Sequence, residues 1–87
     1  MQIIKNRIKQ LSKDYLAEII NYRRELHRHP ELSMQEYNTS RFVISKLTEM
    51  GVGHICSVAG TGVMAMIEGK NPHKTTIALR ADMDALP

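Results

Sequence analysis

The best-marked element of this chain lies in the stretch SMQEYNTSRFVISKLTEMG, residues 33–51. Ser33 is followed three positions later by Glu36, a spacing that forms a capping box and predicts the N-terminus of a helix at Ser33. Gly51 is typical of the residue just past a helix C-terminus, because glycine adopts positive φ without a Cβ clash. We therefore predict a helix that ends at about Met50. Its apolar face is expected to comprise Tyr37, Val43, Ile44, Leu47 and Met50.

A second amphipathic helix is predicted upstream of this stretch, over residues 12–28. Its apolar residues recur at steps of three and four: Leu16, Ile19, Ile20 and Leu26, with Tyr15 and Tyr22 on the flanks. Ser12 is the expected N-cap, and Pro30 ends the helix by pushing His29 towards an extended conformation. The same spacing continues backwards, which leaves an earlier start open, through Ile4, Ile8 and Leu11.

The chain changes character at Gly51, since all five glycines lie at or after it. Three strands are predicted there, over 54–58, 63–68 and 75–79, with turns between them. The third strand is apolar enough to lie in the centre of a sheet. The fold class is therefore predicted as α/β, with two N-terminal helices followed by three strands.

The charge is unevenly distributed along the chain, whose formal net charge is +3. Four basic residues and no acidic ones lie in the first 13 positions: Lys5, Arg7, Lys9 and Lys13. The remaining residues hold eight basic and nine acidic side chains. We predict a basic N-terminal extension over 1–11 and one domain part over 12–87. The near-neutral body argues against a nucleic-acid partner, because no recognition motif accompanies the basic end.

Other classes of protein are excluded by composition. No apolar run approaches the roughly 18 residues that a membrane span needs, so no membrane partner is expected. The single cysteine, Cys56, excludes an internal disulfide framework and a multi-cysteine zinc cluster. Cys56 falls in an apolar strand and is expected to be a buried, inert thiol. A cytoplasmic location is predicted.

The strongest candidate for chemistry is the pair Asp82 and Asp84, directly after the third predicted strand. Ligands of open α/β sheets bind beyond the carboxyl ends of the strands. In an extended segment, side chains two apart point to the same side, so the pair could bind a divalent cation or orient a ligating histidine. The alternative is a polar loop in which each aspartate caps a turn, which is common for short acidic pairs. Arg80 could pair with Glu31 or with Asp82.

The histidines form a weaker candidate. His27 and His29 could ligate metal, but their spacing differs from the i, i+4 arrangement that places two ligands on one helical face. The alternative is that they cap the C-terminus of the first helix, where the helix dipole favours positive charge. His54 and His73 are expected at the surface.

Three ordered motifs resemble the N-acyl-amino-acid amidohydrolases, the branch of the aminoacylase-type metallopeptidase superfamily that includes hippurate hydrolases and auxin-conjugate hydrolases. The resemblance extends from about residue 13 to the end. The motifs are RRELHRHPELS at 23–33 with Glu36 and Thr39, AGTGV at 59–63, and ALRADMDALP at 78–87.

The resemblance implies a two-domain enzyme with two metal ions (zinc, manganese or cobalt) in an open-sheet catalytic domain, of which this chain would be an incomplete part. Such enzymes hydrolyse the amide bond of N-acyl amino acids with a metal-bridging water and a glutamate general base. Asp84 matches a supporting aspartate, and Asp82 falls where more distant relatives have a metal-ligating histidine. In the resembled family the general base and most metal ligands lie further along the chain than the matching motifs.

Two hypotheses follow from the sequence. The first is that the chain is the N-terminal portion of such an enzyme and is inactive alone, with metal bound stably only in the full-length protein. Its partners would be an N-acyl amino acid in that protein, a second copy, or the missing C-terminal part. The alternative is a non-catalytic interaction domain that pairs through its open sheet edge.

Overall fold

The computed structural model describes residues 1–87 and contains two helices and one β-hairpin. In chain order the elements are α1 (Gln2–Arg28), α2 (Tyr37–Glu49), β1 (His54–Val58) and β2 (Gly62–Met66). At about 1.5 Å per residue, α1 is about 40 Å long, and it accounts for the longest dimension of the molecule, 42 Å. Neither helix is sufficiently long and apolar to cross a membrane.

The first helix starts ten residues before its predicted N-cap. Ser12 lies inside α1, where its hydroxyl donates a hydrogen bond to the carbonyl oxygen of Ile8 at 2.8 Å. The prediction of Ser12 as the N-cap is therefore wrong, because the apolar spacing continues backwards and keeps the chain helical. The helix is continuous across the expected junction between residues 11 and 12. Its predicted end is confirmed, since α1 stops at Arg28, two residues before Pro30.

The second helix starts later than the capping box predicts. Residues 32–35 form a turn closed by a hydrogen bond from the Gln35 amide to the Leu32 carbonyl at 3.0 Å. Met34 lies in this turn with φ of +67°, which is incompatible with a helix interior. The helix begins at Tyr37, with Glu36 as its N-cap residue. The prediction of a capping box at Ser33 is thus wrong. The residues that the capping box would place in the first turn of the helix form the separate turn at 32–35 instead.

The C-terminus of α2 confirms the prediction for Gly51. This residue has φ of +88°, and its amide donates to the Thr48 carbonyl at 3.0 Å. The next amide, of Val52, donates to the Leu47 carbonyl at 3.0 Å. These two bonds form a Schellman motif, which satisfies carbonyl groups that the helix end would leave without partners.

The two strands form an antiparallel hairpin in which Ile55 faces Ala65 and Cys56 faces Met64. The connecting residues include Ala59 and Gly60, both with positive φ. At Gly62 an added Cβ would lie 2.6 Å from the carbonyl oxygen of Val58. No larger residue fits there without a shift of the backbone, so the turn requires glycine at this position.

The third predicted strand does not form. Residues 75–79 belong to no helix or strand, and Ile77 and Leu79 are 82% and 96% exposed. No backbone hydrogen bond involves residues 75–84. A strand is stable only when a neighbour satisfies its backbone groups, and no other segment forms backbone hydrogen bonds with this one. The prediction of a third strand is therefore wrong, whereas the two helices and the α/β class are confirmed.

The molecule contains no fully buried apolar side chain. Helices α1 and α2 meet through Tyr22 and Phe42, whose rings are 6.1 Å apart in an edge-to-face arrangement. The Lys46 ammonium lies 5.7 Å and 5.5 Å from the centres of these two rings. On the predicted apolar face of α2, the residues that become half-buried are Val43, Ile44 and Leu47, whereas Tyr37 and Met50 stay exposed.

Candidate functional site

The candidate site is a cleft where three parts of the chain meet: the C-terminal end of α1, the N-terminal end of α2 and residues 81–85. Its volume is about 700 Å³. The polar groups that line it come from Arg23, His27, His29, Glu31, Thr39, Asp82 and Asp84. The apolar part of the lining includes Leu26, Val43 and Val63. The cleft thus brings together residues from the first and the last of the motifs noted in the sequence.

Glu31 caps the N-terminus of α2 in place of the predicted serine. Its carboxylate accepts hydrogen bonds from the amide of Asn38 at 3.2 Å and the amide of Thr39 at 2.5 Å. The Thr39 side chain and these amides favour the charged form, so they hold the pKa of Glu31 below its usual value. A negative charge at this position also complements the positive end of the helix dipole.

Beside this cap lie the only buried residues of the chain, and all three are polar: Glu36, Thr39 and Thr61. The Thr61 hydroxyl donates to the Glu36 carboxylate at 3.3 Å and so ties the hairpin turn to the start of α2. We call Glu31, Glu36, Thr39 and Thr61 the polar node. No buried side-chain polar atom lacks a partner, which is the usual condition for burial of polar groups.

The polar node also anchors the last residues of the chain. The amide of Ala85 donates to the carbonyl oxygen of Glu31 at 2.8 Å. This bond holds the Asp82–Asp84 segment against the cleft although the strand before it is absent. Of the two pairings left open for Arg80, the structure contains the one with Asp82, at 3.0 Å, and both side chains are exposed.

The structure places Asp82 and Asp84 at the cleft but brings no metal-ligand set around them. No group of three His, Cys, Asp or Glu side chains is close enough to hold one ion. A catalytic zinc takes three protein ligands and a water molecule. The residues of this chain alone therefore do not fit a catalytic metal site, and the functional roles of Asp82 and Asp84 remain predictions.

The histidines do not converge on the aspartates as a ligand group. His29 is the C-cap residue of α1, and its amide donates to the Leu26 carbonyl at 3.3 Å. The His29 ring lies 3.5 Å from the Glu25 carboxylate. This arrangement matches the interpretation of His29 as a helix-end residue. His54 and His73 are exposed, as predicted.

The prediction of a buried Cys56 is wrong, because the thiol is exposed. Cys56 and its cross-strand partner Met64 lie on the face of the hairpin opposite to Ile55 and Val63. Of the hairpin residues with side chains, only Ile55 and Val63 are half-buried. A two-stranded sheet has no layer on its second face, so an apolar strand does not by itself bury each of its residues.

Two residues of the polar node were missed as functional positions by the sequence analysis, Glu31 as a helix cap and Thr61 as a buried donor. The available signal for Glu31 is that a carboxylate shortly before a predicted helix can accept hydrogen bonds from the first amides of that helix. Thr61 carries no comparable local signal. Its partner Glu36 is 25 positions away, and only the fold brings them together.

Comparison with known proteins matches nearly the whole chain. It is 43% identical over 83 residues to the N-acyl-L-amino acid amidohydrolase of Geobacillus stearothermophilus, a match that covers 95% of this chain and 22% of that protein. The chain is related to the amidohydrolases. The resemblance noted in the sequence is thus confirmed, with 49% identity over 70 residues to a Bacillus subtilis protein that is also named an amidohydrolase.

A third relative is named a carboxypeptidase and not an amidohydrolase. The thermostable carboxypeptidase 1 of Saccharolobus solfataricus is 45% identical over 85 residues, which are 97% of this chain and 20% of that protein. The chain spans about a fifth of the length of these amidohydrolase and carboxypeptidase relatives. No protein-family profile matches it. No solved structure matches it either.

Proposed function

We propose that these residues form the N-terminal portion of the catalytic domain of a metal-dependent amidohydrolase that hydrolyses N-acyl amino acids. The observation that carries the proposal is the 43% identity, over 95% of the chain, to a relative named for that activity. The cleft supports it, because Asp82 and Asp84 lie there beside residues of the first motif. A cytoplasmic location belongs to the same proposal.

In this proposal the chain contributes a positioned carboxylate pair and not a complete centre. Asp84 is the supporting aspartate and Asp82 occupies the position of a ligand. The polar node fixes where they lie, since Ala85 is bonded to the Glu31 carbonyl. A catalytic metal needs more protein ligands than the chain brings together, and these would come from outside the 87 residues.

We also propose that the 87-residue chain alone does not hydrolyse N-acyl amino acids. The purified chain is assayed for release of free amino acid from N-acetyl and N-benzoyl amino acids, with zinc, manganese or cobalt present. We expect no release above the metal-only control. Metal-dependent turnover that copurifies with the chain would contradict this part of the proposal.

A chimeric enzyme tests the amidohydrolase function itself. In the Geobacillus stearothermophilus relative, the segment that matches this chain is replaced by residues 1–87, and the unmodified relative serves as the control. We expect the chimera to release amino acids from the substrates of the control enzyme. A folded chimera that lacks all hydrolysis would overturn the proposal.

A non-catalytic interaction domain is the second candidate, and the hairpin favours it. The sheet consists of β1 and β2 only, so each strand has one edge without a partner. This candidate predicts that the chain retains a partner protein through β1–β2. The retention would be lost on Gly62→Ala, which disrupts the hairpin, and would persist with Gly69→Ala, where a Cβ meets no other atom.

A further inference from the structure

One face of the β1–β2 hairpin carries all of the sulfur atoms of the hairpin. Cys56 faces Met64 across the two strands, and His54 faces Met66 two positions further along. Residues directly opposite each other in an antiparallel pair, and residues two apart along a strand, place their side chains on the same side of the sheet. These residues therefore share one face, which we call the sulfur-rich face: His54, Cys56, Met64 and Met66.

The register of the hairpin brings these four side chains within reach of one ion. Directly opposite Cβ atoms lie about 4.5–5.5 Å apart in an antiparallel pair, and residues two apart along a strand are separated by about 7 Å. Each methionine has three rotatable side-chain bonds, so both thioether sulfurs can turn towards a common point between the strands. All four residues line one concave region of the surface, whose volume is about 510 Å³.

The surroundings of His54 indicate which of its nitrogens would bind an ion. Nε2 lies 4.0 Å from a carboxylate oxygen of Glu68, at the outer limit of an ion pair. Glu68 lines the same concave region. In metal sites a carboxylate beside one ring nitrogen of a ligating histidine orients the ring and leaves the other nitrogen for the metal. The nitrogen of His54 that is available to an ion on the sulfur-rich face is therefore Nδ1.

The ligand types on the sulfur-rich face select a soft cation. Zinc in proteins takes cysteine, histidine and carboxylate ligands, and no three such side chains in this chain are close enough to hold one ion. Thioether sulfur is a different type of ligand, because together with thiolate it selects Cu(I), to which imidazole also binds. One thiolate, two thioethers and one imidazole thus fit monovalent copper, and not the zinc, manganese or cobalt that the resemblance to the amidohydrolases implies.

We propose that the sulfur-rich face binds one Cu(I) ion through its three sulfur atoms and the Nδ1 atom of His54. On binding, the Cys56 thiol releases its proton to the solvent and its sulfur bonds to copper, which stays monovalent. The concave region shares no residue with the cleft that contains Asp82 and Asp84, and the proposal does not depend on amidohydrolase activity.

Competition for Cu(I) between the 87-residue chain and the chelator bicinchoninate tests the proposal, without oxygen and with ascorbate as reductant. Met64→Leu is the variant and Met50→Leu the matched control, because both methionines are similarly exposed but Met50 lies at the end of α2. We expect one Cu(I) per chain for the unmodified chain and the control. The dissociation constant should be about tenfold higher for Met64→Leu and about a hundredfold higher for Cys56→Ser, which removes the only ligand that becomes charged. Circular dichroism verifies that each variant keeps its helices.

Two further measurements separate a site built by the hairpin from copper held by an exposed thiol alone. Copper X-ray absorption should show more than one sulfur neighbour, and His54→Ala should weaken binding whereas His73→Ala should not. A single sulfur neighbour, two chains per copper ion in native mass spectrometry, or equal affinities for Met64→Leu and Met50→Leu would overturn the proposal. A chain that takes no Cu(I) from the chelator would overturn it as well.

Discussion

The polar node and the segment after β2 differ in how their residues are held. At the node, Glu31 accepts two amide hydrogen bonds and Glu36 accepts one from a buried hydroxyl. After β2, by contrast, apolar residues such as Leu79 are almost fully exposed. The last part of that segment is fixed by one backbone bond, from Ala85 to Glu31. Polar groups that are close in space can order a short chain locally, whereas a central strand needs neighbours that these residues do not supply.

The largest expected effect concerns the hairpin that carries Thr61 into the polar node. Gly62→Ala places a Cβ 2.6 Å from the Val58 carbonyl oxygen, and the resulting overlap should destabilise the hairpin by about 2–3 kcal/mol. Amide hydrogen exchange in β1 and β2 measures this loss. Gly69→Ala, which meets nothing within 4 Å, is the control and should leave the exchange rates unchanged. Equal protection in both variants would mean that the hairpin turn is not constrained at Gly62.

The next effect removes the bond between the hairpin and α2. Thr61→Val keeps the shape of the side chain but leaves the buried Glu36 carboxylate without its donor. A hydrogen bond to a charged group contributes about 1.5–3 kcal/mol, so the protection of the hairpin amides should fall accordingly. Thr76→Val, at an exposed position, should change nothing. If the two variants behave alike, the polar node does not hold the hairpin.

The pH dependence of α2 tests the cap at Glu31. The pKa of this carboxyl is lowered in the folded chain by the side chain and amide of Thr39. Its stabilising effect is therefore present above the unfolded pKa, about 4.3 for glutamate, and is lost as the pH falls through the lower folded value. We expect far-UV circular dichroism to show helix loss in this acidic range.

The matched variants for this titration are Glu31→Gln and Glu68→Gln. Glu31→Gln should remove the part of the transition that comes from the cap, and its helix content at neutral pH should already be lower. Glu68 is exposed and lies outside both helices, so its variant should titrate like the unmodified chain. An unchanged titration for Glu31→Gln would show that another group controls the acidic transition.

The smallest expected effect is a stabilisation at Ala59, which has φ of +51°. A non-glycine residue in the left-handed region costs about 1–2 kcal/mol, and part of this is offset by the greater chain entropy of glycine. Ala59→Gly should therefore stabilise the hairpin by about 0.5–1 kcal/mol, measured by hydrogen exchange. Ala17→Gly, in the middle of α1, should instead destabilise its helix by about 1 kcal/mol. A loss of hairpin protection in Ala59→Gly would contradict the strained backbone at this turn.

Predictions from sequence succeeded where a few adjacent residues determine the structure. Pro30 was expected to end α1, and Gly51 was expected to end α2 with positive φ; both are confirmed. The capping box failed although it is also local, because Glu31 competes for the same helix end from outside the Ser33–Glu36 pair. Local signals are thus reliable only when no nearby side chain offers the backbone a better partner.

The remaining errors have a common physical origin. The predictions of a third strand at 75–79 and of a buried Cys56 both rest on apolar character. Apolar character indicates the environment that a residue favours, but it does not indicate whether neighbouring segments provide that environment. Without a neighbouring strand or a second layer, the same residues are exposed. The structure places Asp82 and Asp84 at a cleft, and the bond from Ala85 to Glu31 that holds them there could not be inferred from the sequence.

The most direct test of the central claim, that residues 1–87 carry a functional carboxylate of an amidohydrolase at Asp84, is a pair of substitutions in the chimera with the Geobacillus stearothermophilus enzyme. Asp84→Asn and Asp14→Asn remove the same charge, one at the cleft and one on exposed α1. Loss of a residue that orients a metal ligand typically costs about 10–100-fold in activity or metal affinity. We predict that release of free amino acid falls by about that factor for Asp84→Asn and is unchanged for Asp14→Asn. Equal activity of the two variants would contradict the claim.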